Sequence, residues 1–421
     1  MENDLIIWAK SDGVTHINYH YTQFGEVINY LNRVLRQKNN IIGIDQDIDN
    51  TDIIQFIKDN NIKKVAIMTN YENANNAFEL SNLIKNECNI PIMAYGPLTI
   101  MHKDLFKNSS FSAIHSNGDY ERSIYSFLSS FEGINDIEKL QGLNLISNDK
   151  FIETKKGEYI DNKQWGISSI AEVPIDRYDN VKGKNRYVLN LSRGCPFGCT
   201  HCLIQLTEGN RERRRDIENT KLAIDIIKQK YNHIKIWAAN FTLNKKYVND
   251  FCDMMIANHK NITWECATRI DLVKDTEMLK RMYEAGCRQI SLGIESLNNA
   301  ELIDTKDFSK TEVEKSIDNI QNSQIKVKGC VMLGMPNQTI DSVVNTLKFL
   351  KEKNVIIRPT IYTPYHLIDS NCELSHLSQY NRKTYKNENI PGITQDQLLN
   401  LVSNPYDYEN ILGLRKKEEI R

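Results

Sequence analysis

The chain has 421 residues, of which 40% are hydrophobic and 25% are charged; this composition is typical of a soluble globular protein, and the length predicts two or more domains. Its 53 basic and 54 acidic residues give a net charge of −1, which excludes a protein whose overall field attracts nucleic acid or an anionic membrane. The N-terminal MENDLIIWAKSDG lacks a basic region followed by a long apolar one, and no apolar run reaches the roughly 18 residues of a membrane span, so we expect a cytoplasmic protein.

Residues 1–135 alternate short apolar runs with amphipathic stretches, which is typical of an α/β domain. This alternation implies right-handed crossovers, so we predict a doubly wound parallel sheet covered on both faces. Such a sheet binds ligands at the carboxyl ends of its strands. The predicted strands are 4–9, 40–45, 63–69, 90–95 and 111–116, and the predicted helices lie near 23–37, 51–60 and 73–87.

A hairpin and a linker are predicted for residues 136–185. Two short alternating runs flank Asn148 and Asp149, a pair that favours a tight β-turn. Polar sequence with Pro174 and Gly183 follows, as is typical of a linker between domains.

Residues 186–365 repeat a strand and then a helix, which predicts a partial (βα)6 TIM-like barrel with its chemistry at the carboxyl ends of the strands. Residues 366–421 are polar and irregular, and we predict that they cap the opening of the barrel. The predicted strands are 186–192, 234–239, 262–267, 288–294, 325–333 and 355–362, and the helices lie near 217–231, 244–259, 275–285, 310–323 and 340–353.

A basic cluster precedes the first helix of this repeat, at Arg211 and at 213–215. Asp216 follows it and is a suitable N-cap residue, so a solvated turn before a helix is favoured over a phosphate site.

Three of the nine cysteines fall within eight residues, in SRGCPFGCTHC, directly after the first predicted barrel strand. An odd number without regular spacing does not predict a disulfide framework, so a reducing compartment fits best. The others lie mostly in apparent core elements, where cysteines are usually inert: Cys88, Cys252, Cys266, Cys287, Cys330 and Cys372.

The three clustered thiols have two competing interpretations. Structural zinc needs four ligands, and His201 as the fourth stands between Cys199 and Cys202, where its side chain should point away from them. An iron–sulfur cluster held by three thiolates leaves one iron open for a substrate or cofactor. Gly194 and Gly198 would let the loop wrap closely around such a cluster, so the cluster is favoured and zinc remains the alternative.

The Cys-x3-Cys-x2-Cys spacing of Cys195, Cys199 and Cys202 resembles the radical S-adenosylmethionine (SAM) superfamily. The stretches WECATRIDLV, RMYEAGCRQISLGIES and VMLGMPNQT resemble its subgroup with an N-terminal cobalamin-binding domain, and the resemblance covers roughly residues 60–365. It implies a 4Fe-4S cluster, bound by these three cysteines, whose open iron chelates SAM. One electron then cleaves SAM into methionine and a 5′-deoxyadenosyl radical.

The resemblance also implies a SAM site. Ala238, Ala239 and Asn240 stand where the family has a Gly-Gly-Glu-like turn that meets the methionine amino group, although the residues differ. Arg269 would pair with the methionine carboxylate, or alternatively form a surface ion pair with Asp271.

The remaining implied SAM contacts involve ribose and adenine. Glu295 and Ser296 would bind the ribose or form a helix-capping turn. Gly334 would leave room for the adenine or open a turn before Pro336, and His201 would pack near the adenine.

Cobalamin is an expected cofactor, although the stretches GIDQDIDN, AYGP and SNGDYE depart from the motifs that usually mark a cobalamin-binding domain. The expected contacts lie in loops at strand ends, where each residue is equally suited to an ordinary turn. They are Thr69, Asn70, Tyr71, Gly96, Asn117, Gly118 and Glu121.

The resemblance therefore predicts a cobalamin-dependent radical SAM enzyme that methylates an unactivated carbon of a small metabolite or natural-product precursor. The alternatives are a cobalamin-independent dehydration, rearrangement or epimerisation, then a methylthiotransferase, and finally a zinc-stabilised binding module without catalysis. The expected partners are a small-molecule substrate and a one-electron donor such as flavodoxin or ferredoxin, without nucleic acid or a membrane.

Overall fold

The structure is a computed structural model that describes residues 2–12, 20–35, 39–168, 177, 186–199, 201–298, 301, 308–369, 372–381 and 385–414. Its strands are β1 Glu2–Trp8, β2 Asn39–Asp45, β3 Ile62–Met68, β4 Ile92–Tyr95, β5 Ala113–His115, β6 Leu143–Ser147, β7 Lys150–Glu153, β8 Tyr187–Asn190, β9 Ser192–Arg193, β10 Arg213–Arg214, β11 His233–Trp237, β12 Thr263–Thr268, β13 Cys287–Glu295, β14 Lys326–Leu333 and β15 Ile356–Ile361. Its α-helices are α1 His20–Val34, α2 Ile53–Asp59, α3 Ala74–Cys88, α4 Pro97–Met101, α5 Tyr120–Ser130, α6 Ile204–Glu208, α7 Ile217–Ile227, α8 Lys245–Asn258, α9 Thr276–Glu284, α10 Lys310–Asn322, α11 Ile340–Glu352, α12 Leu374–Leu377, α13 Gln395–Ser403 and α14 Tyr408–Ile411. None of the helices in these ranges combines the length and the apolar character that a membrane crossing requires.

The chain forms two compact units. The first comprises residues 1–185, 203–229 and 367–381, and the second comprises 186–202, 230–366 and 382–421. The linker residues Pro174 and Gly183 lie outside the described residues, so the predicted domain boundaries stay predictions.

The first unit is built on a seven-stranded sheet with the order β2-β1-β3-β4-β5-β6-β7. The first five of these strands are parallel, which confirms the predicted doubly wound sheet. Strand β4 is buried at every position, as expected when helices cover both faces.

The predicted hairpin is confirmed, and it extends this sheet, because β6 pairs antiparallel with β5 and β7 with β6. Its turn places Asn148 and Asp149 in the left-handed region, with φ of 48° and 58°. Asn and Asp tolerate this conformation better than most residues, which explains why the two strands meet at this pair.

The second unit is built on a six-stranded parallel sheet in the order β8-β11-β12-β13-β14-β15, so neighbours in the sheet are also consecutive in the helix-linked repeat. This arrangement confirms the predicted partial barrel. Capping boxes start two of the helices that link its strands, at Ser309 before α10 and at Thr339 before α11.

The basic cluster before α7 lies in the first unit, and the predicted solvated turn is wrong. The Arg215 side chain is fully buried, and its guanidinium donates to Glu26 at 2.8 Å and to Asn219 at 2.6 Å. Arg213 forms a two-pronged ion pair with Asp119, at 2.7 and 2.8 Å. Burial of these guanidinium groups is tolerated because carboxylates and amide oxygens satisfy them. The predicted N-cap Asp216 is confirmed, since it accepts from two backbone N–H groups of α7.

The C-terminal part of the second unit covers the edge strand β15. The Tyr406 hydroxyl accepts from the Ile357 backbone N–H at 3.0 Å and donates to the Val355 carbonyl at 3.3 Å. These bonds satisfy backbone groups that an exposed edge would leave open for pairing with another chain. That residues 366–421 cover the barrel opening stays a prediction.

Candidate active site

The three clustered cysteines follow the first strand of the barrel sheet, β8. Cys195 is buried, whereas Cys199 and Cys202 are partly exposed. The backbone N–H of Cys202 donates to the Cys199 carbonyl at 3.0 Å, which closes a turn between these two cysteines. Gly194 has a φ of 80°, so the chain enters the loop in a conformation that other residues rarely adopt.

Asn240 lies next to this loop, although it is 45 residues away in sequence. It follows β11 and is buried, and its side-chain Nδ2 donates to the sulfur of Cys195 at 3.4 Å. The preceding Ala238 and Ala239 have short side chains, which leave the backbone of this turn open to close approach. The structure therefore brings two of the predicted site segments together, the cysteine loop and the turn after β11.

Arg269 follows β12 and joins the same neighbourhood. Its guanidinium carbon lies 3.9 Å from the ring centroid of Phe197, a residue of the cysteine loop, and 5.4 Å from that of Phe308. It forms the predicted ion pair with Asp271, at 2.9 Å. Arg269 is only 6% exposed, however, so this ion pair does not lie at the surface as predicted. The stacking on Phe197 and the ion pair with Asp271 together fix the plane of the Arg269 guanidinium beside the cysteine loop.

Glu295 and Ser296 lie at the end of β13, and both are buried. Glu295 has a φ of 62°, a costly conformation for a residue with a side chain, and such strain is most often found at functional sites. The Ser296 hydroxyl donates to Glu301 at 2.7 Å, and Gln338 donates to the same carboxylate oxygen at 3.3 Å. Ser296 is therefore part of a buried polar network.

Gly334 belongs to the same network, because its backbone N–H donates to Gln338 Oε1 at 2.6 Å. Its φ is 87°, and a side chain here would meet the Asn387 amide at 2.2 to 2.4 Å. The room predicted for an adenine beside this glycine is thus filled by Asn387, which donates to the Gly334 and Tyr362 carbonyls. Gln338 stands within the quoted stretch VMLGMPNQT, whereas nothing in the sequence around Asn387 or Glu301 marks these residues.

The residues predicted to contact a corrin lie at strand ends of the first unit. After β3, Thr69 is buried and bonds to the Tyr95 carbonyl, and the Tyr71 hydroxyl lies 3.0 Å from His102 Nε2. Asn70 accepts from the Tyr71 backbone N–H at 2.7 Å. After β4, Gly96 has a φ of 114°, and a side chain there would meet the Thr69 carbonyl at 2.4 Å.

The third of these loops follows β5. Asn117 Oδ1 accepts from the Gly157 backbone N–H at 2.6 Å. Gly118 has a φ of 86°, and a side chain there would meet the Glu158 carbonyl at 2.8 Å. Glu121, at the start of α5, is buried. The predicted side chains Thr69, Asn70, Tyr71 and Asn117 therefore all form hydrogen bonds within this unit.

A separate structural role falls to Asp119, which the sequence pattern does not single out. It accepts from the Ile160 backbone N–H at 2.9 Å and from two guanidinium nitrogens of Arg213.

His115, at the end of β5, bonds to Ser123 Oγ at 2.8 Å, and burial lowers the pKa of its imidazole to about 3. This ring is therefore neutral at physiological pH.

Within the described ranges, no three His, Cys, Asp or Glu side chains converge as a single bound metal ion requires.

Among the remaining thiols of the second unit, burial raises the pKa of Cys252 to about 12 and raises that of Cys266 as well. These thiols are therefore poor nucleophiles, as expected for core cysteines.

Residues 189–350 match the family model described as the radical SAM superfamily. The chain is 25% identical over 351 residues to an uncharacterized methyltransferase of Pyrococcus horikoshii, a match that covers 80% of this chain and 75% of that protein. It is 28% identical over 232 residues to an anaerobic magnesium-protoporphyrin IX monomethyl ester cyclase of Synechocystis sp., covering 53% of this chain and 46% of the cyclase.

Two solved structures share the fold. The radical SAM methyltransferase TsrM from Kitasatospora setae, with cobalamin and a [4Fe-4S] cluster bound, gives a TM-score of 0.71 at 12% identity, covering 87% of this chain and 77% of TsrM. The cobalamin-dependent radical enzyme OxsB, with aqua-cobalamin and SAM bound, gives 0.69 at 16% identity, covering 99% of this chain and 57% of OxsB.

Proposed function

Because the chain carries a radical SAM domain over residues 189–350, we propose that it is a cobalamin-dependent radical SAM methyltransferase acting on an unactivated carbon of a small molecule. The observation that carries this proposal is the position of the cysteine loop after β8, the first strand of a six-stranded parallel partial barrel. Chemistry in such barrels takes place at the carboxyl ends of the strands.

The donor set of this loop fits a 4Fe-4S cluster. Cys195, Cys199 and Cys202 offer three thiolates, and thiolates that hold separate corners of a cubane need not converge on one ion. The Asn240 amide N–H lies within hydrogen-bonding distance of Cys195 and would stabilise negative charge on this sulfur. When bound, the cluster supplies the electron that cleaves SAM into methionine and a 5′-deoxyadenosyl radical.

The SAM contacts follow from the turns around the loop. Arg269 is held by Phe197 and Asp271 in a fixed plane, which suits recognition of the methionine carboxylate. The turn of Ala238 and Ala239 would offer backbone groups to the amino group. Glu295 is proposed to bind the ribose. Ser296 and Gly334 would shape the buried edge of the SAM site through the network around Gln338. His201 would pack near the adenine.

The cobalamin would bind to the first unit, in the loops after β3, β4 and β5. The parallel order of this sheet and its likeness in fold to TsrM and OxsB support this part of the proposal. Since the side chains of these loops already bond within the protein, the backbone would make most corrin contacts. When bound, cobalamin supplies the methyl group, and flavodoxin or ferredoxin is proposed as the one-electron donor.

Anaerobic purification with added cobalamin, followed by iron, sulfide and corrin analysis, tests this proposal. We expect a 4Fe-4S cluster, stoichiometric cobalamin, and both 5′-deoxyadenosine and S-adenosylhomocysteine after reduction with SAM. A colourless protein that contains zinc would contradict all the radical mechanisms. A protein that carries the cluster but takes up no corrin would exclude cobalamin as a cofactor and leave the radical chemistry in place.

A cobalamin-independent radical reaction, such as a dehydration, rearrangement or epimerisation, is the second candidate. It is favoured by one observation, namely that Tyr71 and Asn117 of the proposed corrin loops already have hydrogen-bond partners within the protein. In this case 5′-deoxyadenosine would form without S-adenosylhomocysteine.

A further inference from the structure

The inner face of the barrel sheet is partly exposed on β11, β13, β14 and β15, whereas β8 is buried at every position. On β14, Val327, Val331 and Leu333 are buried, and Lys328, Cys330 and Met332 between them are partly exposed. The same alternation holds on β13. Because alternate residues of a strand point to opposite faces, the buried residues lie on one face and the partly exposed residues on the other. This face is where a substrate of the barrel would lie.

The accessible face carries an excess of positive charge around one carboxylate. Glu265 on β12 accepts from Arg186 at 2.8 Å and from Gln289, and it lies 3.7 Å from the Lys328 ammonium. Lys235 on β11 is the direct register neighbour of Glu265. Arg358 stands at an exposed position of the edge strand β15. Arg186 and Lys328 thus pair with Glu265, while Lys235 neighbours it across the sheet and Arg358 adds a further cation near Lys235.

Both burial and the neighbouring charges act on the ionisation of Lys235. Burial, followed by the charges of Arg358 and Arg186, lowers the pKa of its ammonium to about 7, and Glu265 offsets only part of this effect. Burial also lowers the pKa of Arg186 and of Lys328. A partly desolvated group of like charges attracts anions strongly, because field lines concentrate in a cleft of low dielectric.

An aromatic surface lies beside these charges. Trp237 is two residues beyond Lys235 on β11 and therefore on the same face, and its side chain is 47% exposed. Three residues further along, Asn240 contacts Cys195 of the proposed cluster loop. In chain order, Lys235, the indole of Trp237 and the residue that contacts the cysteine loop, Asn240, therefore follow one another at the end of β11.

We infer that the inner face of the barrel binds the substrate by an anionic group, a carboxylate or a phosphate, held by Arg186, Lys235 and Lys328. The body of the substrate lies against Trp237, and its reacting carbon points away from the anion, toward the cysteine loop. Arginine and lysine together suit an oxyanion, since guanidinium fixes its orientation and ammonium adds a compact charge. This inference rests on the proposed function, because it names the substrate class of the same barrel.

Trp237 provides the readout for the test. The other tryptophans, Trp8, Trp165 and Trp264, are at most 4% exposed, so Trp237 should dominate quenching of fluorescence by acrylamide. The full-length protein is titrated with inorganic phosphate or with succinate, and chloride keeps the ionic strength constant. We expect one of the two anions to protect Trp237 in a saturable manner, and which one does so distinguishes a phosphate from a carboxylate. Loss of the quenchable signal in Trp237→Phe verifies the reporter.

Variants then locate the binding groups. Lys235→Met and Lys328→Met should each lower the affinity for the protecting anion roughly tenfold or more, as expected for loss of a charged hydrogen bond. Lys348→Met removes the same charge from an exposed position of α11 and should bind the anion as the wild type does. Equal protection by chloride alone, or unchanged affinity in Lys235→Met, would overturn the inference.

The inference and the proposed function fail separately. Iron content and reductive SAM cleavage are measured on the same wild-type preparation as anion binding. An active cluster with no anion protection would refute the anion site and leave the radical chemistry intact. Saturable protection in a protein that never assembles a cluster would support the anion site and refute the proposed function.

Discussion

The two parallel sheets of this protein differ in what their faces meet. Strand β4 of the first sheet is buried at every position, and the neighbouring side chains bond within the unit, Thr69 to the Tyr95 carbonyl and Tyr71 to His102. In the barrel sheet, β11, β13 and β14 alternate buried and partly exposed residues, and Arg186, Lys235, Glu265 and Lys328 lie together on the partly exposed side. If the proposals hold, the first sheet would therefore act as a scaffold that offers backbone to its ligand, and the second would offer charged side chains.

The largest expected effect concerns the cysteine loop. Cys195→Ala, Cys199→Ala or Cys202→Ala should abolish both the cluster and SAM cleavage, because each removes one of the three thiolates proposed to hold the cluster. Iron analysis, visible absorbance and 5′-deoxyadenosine formation measure this loss. Cys372→Ala, which also removes a partly exposed thiol, should retain both. Deoxyadenosine formation by any of the three loop variants would contradict the ligand assignment.

The scaffold character of the first unit predicts a large effect on stability from its buried ion pair. Glu26→Gln should lower the free energy of unfolding by about 3 to 5 kcal/mol, because it leaves the Arg215 charge buried without its carboxylate. Urea denaturation followed by tryptophan fluorescence measures the loss. Glu87→Gln makes the same change in an exposed pair with Lys58 and should cost less than about 1 kcal/mol. Equal losses in the two variants would refute the special weight given to the buried pair.

Arg269 should show a smaller effect, confined to SAM binding. Arg269→Lys keeps the charge but loses the planar stack on Phe197, so we expect the KM for SAM to rise roughly 10- to 100-fold. The matched control Lys274→Met removes a cation from an exposed position shortly after the same strand and should leave KM unchanged. An unaltered KM in Arg269→Lys would assign Arg269 to packing of the cysteine loop alone.

The smallest expected effect is the pH dependence of anion binding in the barrel. The pKa of Lys235 is lowered to about 7, so the side chain is charged below this pH and neutral above it. Inorganic phosphate gains charge over this range, so the trend is measured with succinate, whose carboxylates stay largely ionised. Succinate prefers the charged form of Lys235, and its affinity should fall by up to about tenfold between pH 6 and pH 8. His233 does not oppose this trend, since burial lowers the pKa of its ring below the ordinary value of 6.5.

Lys235→Arg is the control for this trend, because a guanidinium stays charged across the whole range. The Trp237 quenching assay should then show an affinity that varies little with pH. A wild-type affinity that is constant from pH 6 to pH 8 would contradict the assigned role of Lys235.

Local patterns predicted the elements of both sheets, the turn at Asn148 and Asp149, and the cap at Asp216, since each depends on a few neighbouring residues. The burial of Arg215 was not predictable in this way, because its partner Glu26 lies 189 residues away. The contact of Asn387 with Gly334 is also long-range, at 53 residues.

The charged face of the barrel shows the same limit. Alternation alone places Lys235 and Lys328 on accessible faces of their strands, but only the register between strands brings both toward Glu265. The cysteine loop was identifiable because its three thiols are close in sequence, whereas its contacts with Asn240 and Arg269 required the fold.

The most direct test of the proposed chemistry is one anaerobic reaction of the reconstituted, cobalamin-loaded protein with SAM, a reductant and an anionic candidate substrate. The proposal predicts 5′-deoxyadenosine and S-adenosylhomocysteine together, at rates that rise with the substrate, and neither product from Cys195→Ala. Deoxyadenosine without S-adenosylhomocysteine would contradict methyl transfer, and the absence of both products from an iron-loaded protein would contradict the radical assignment itself.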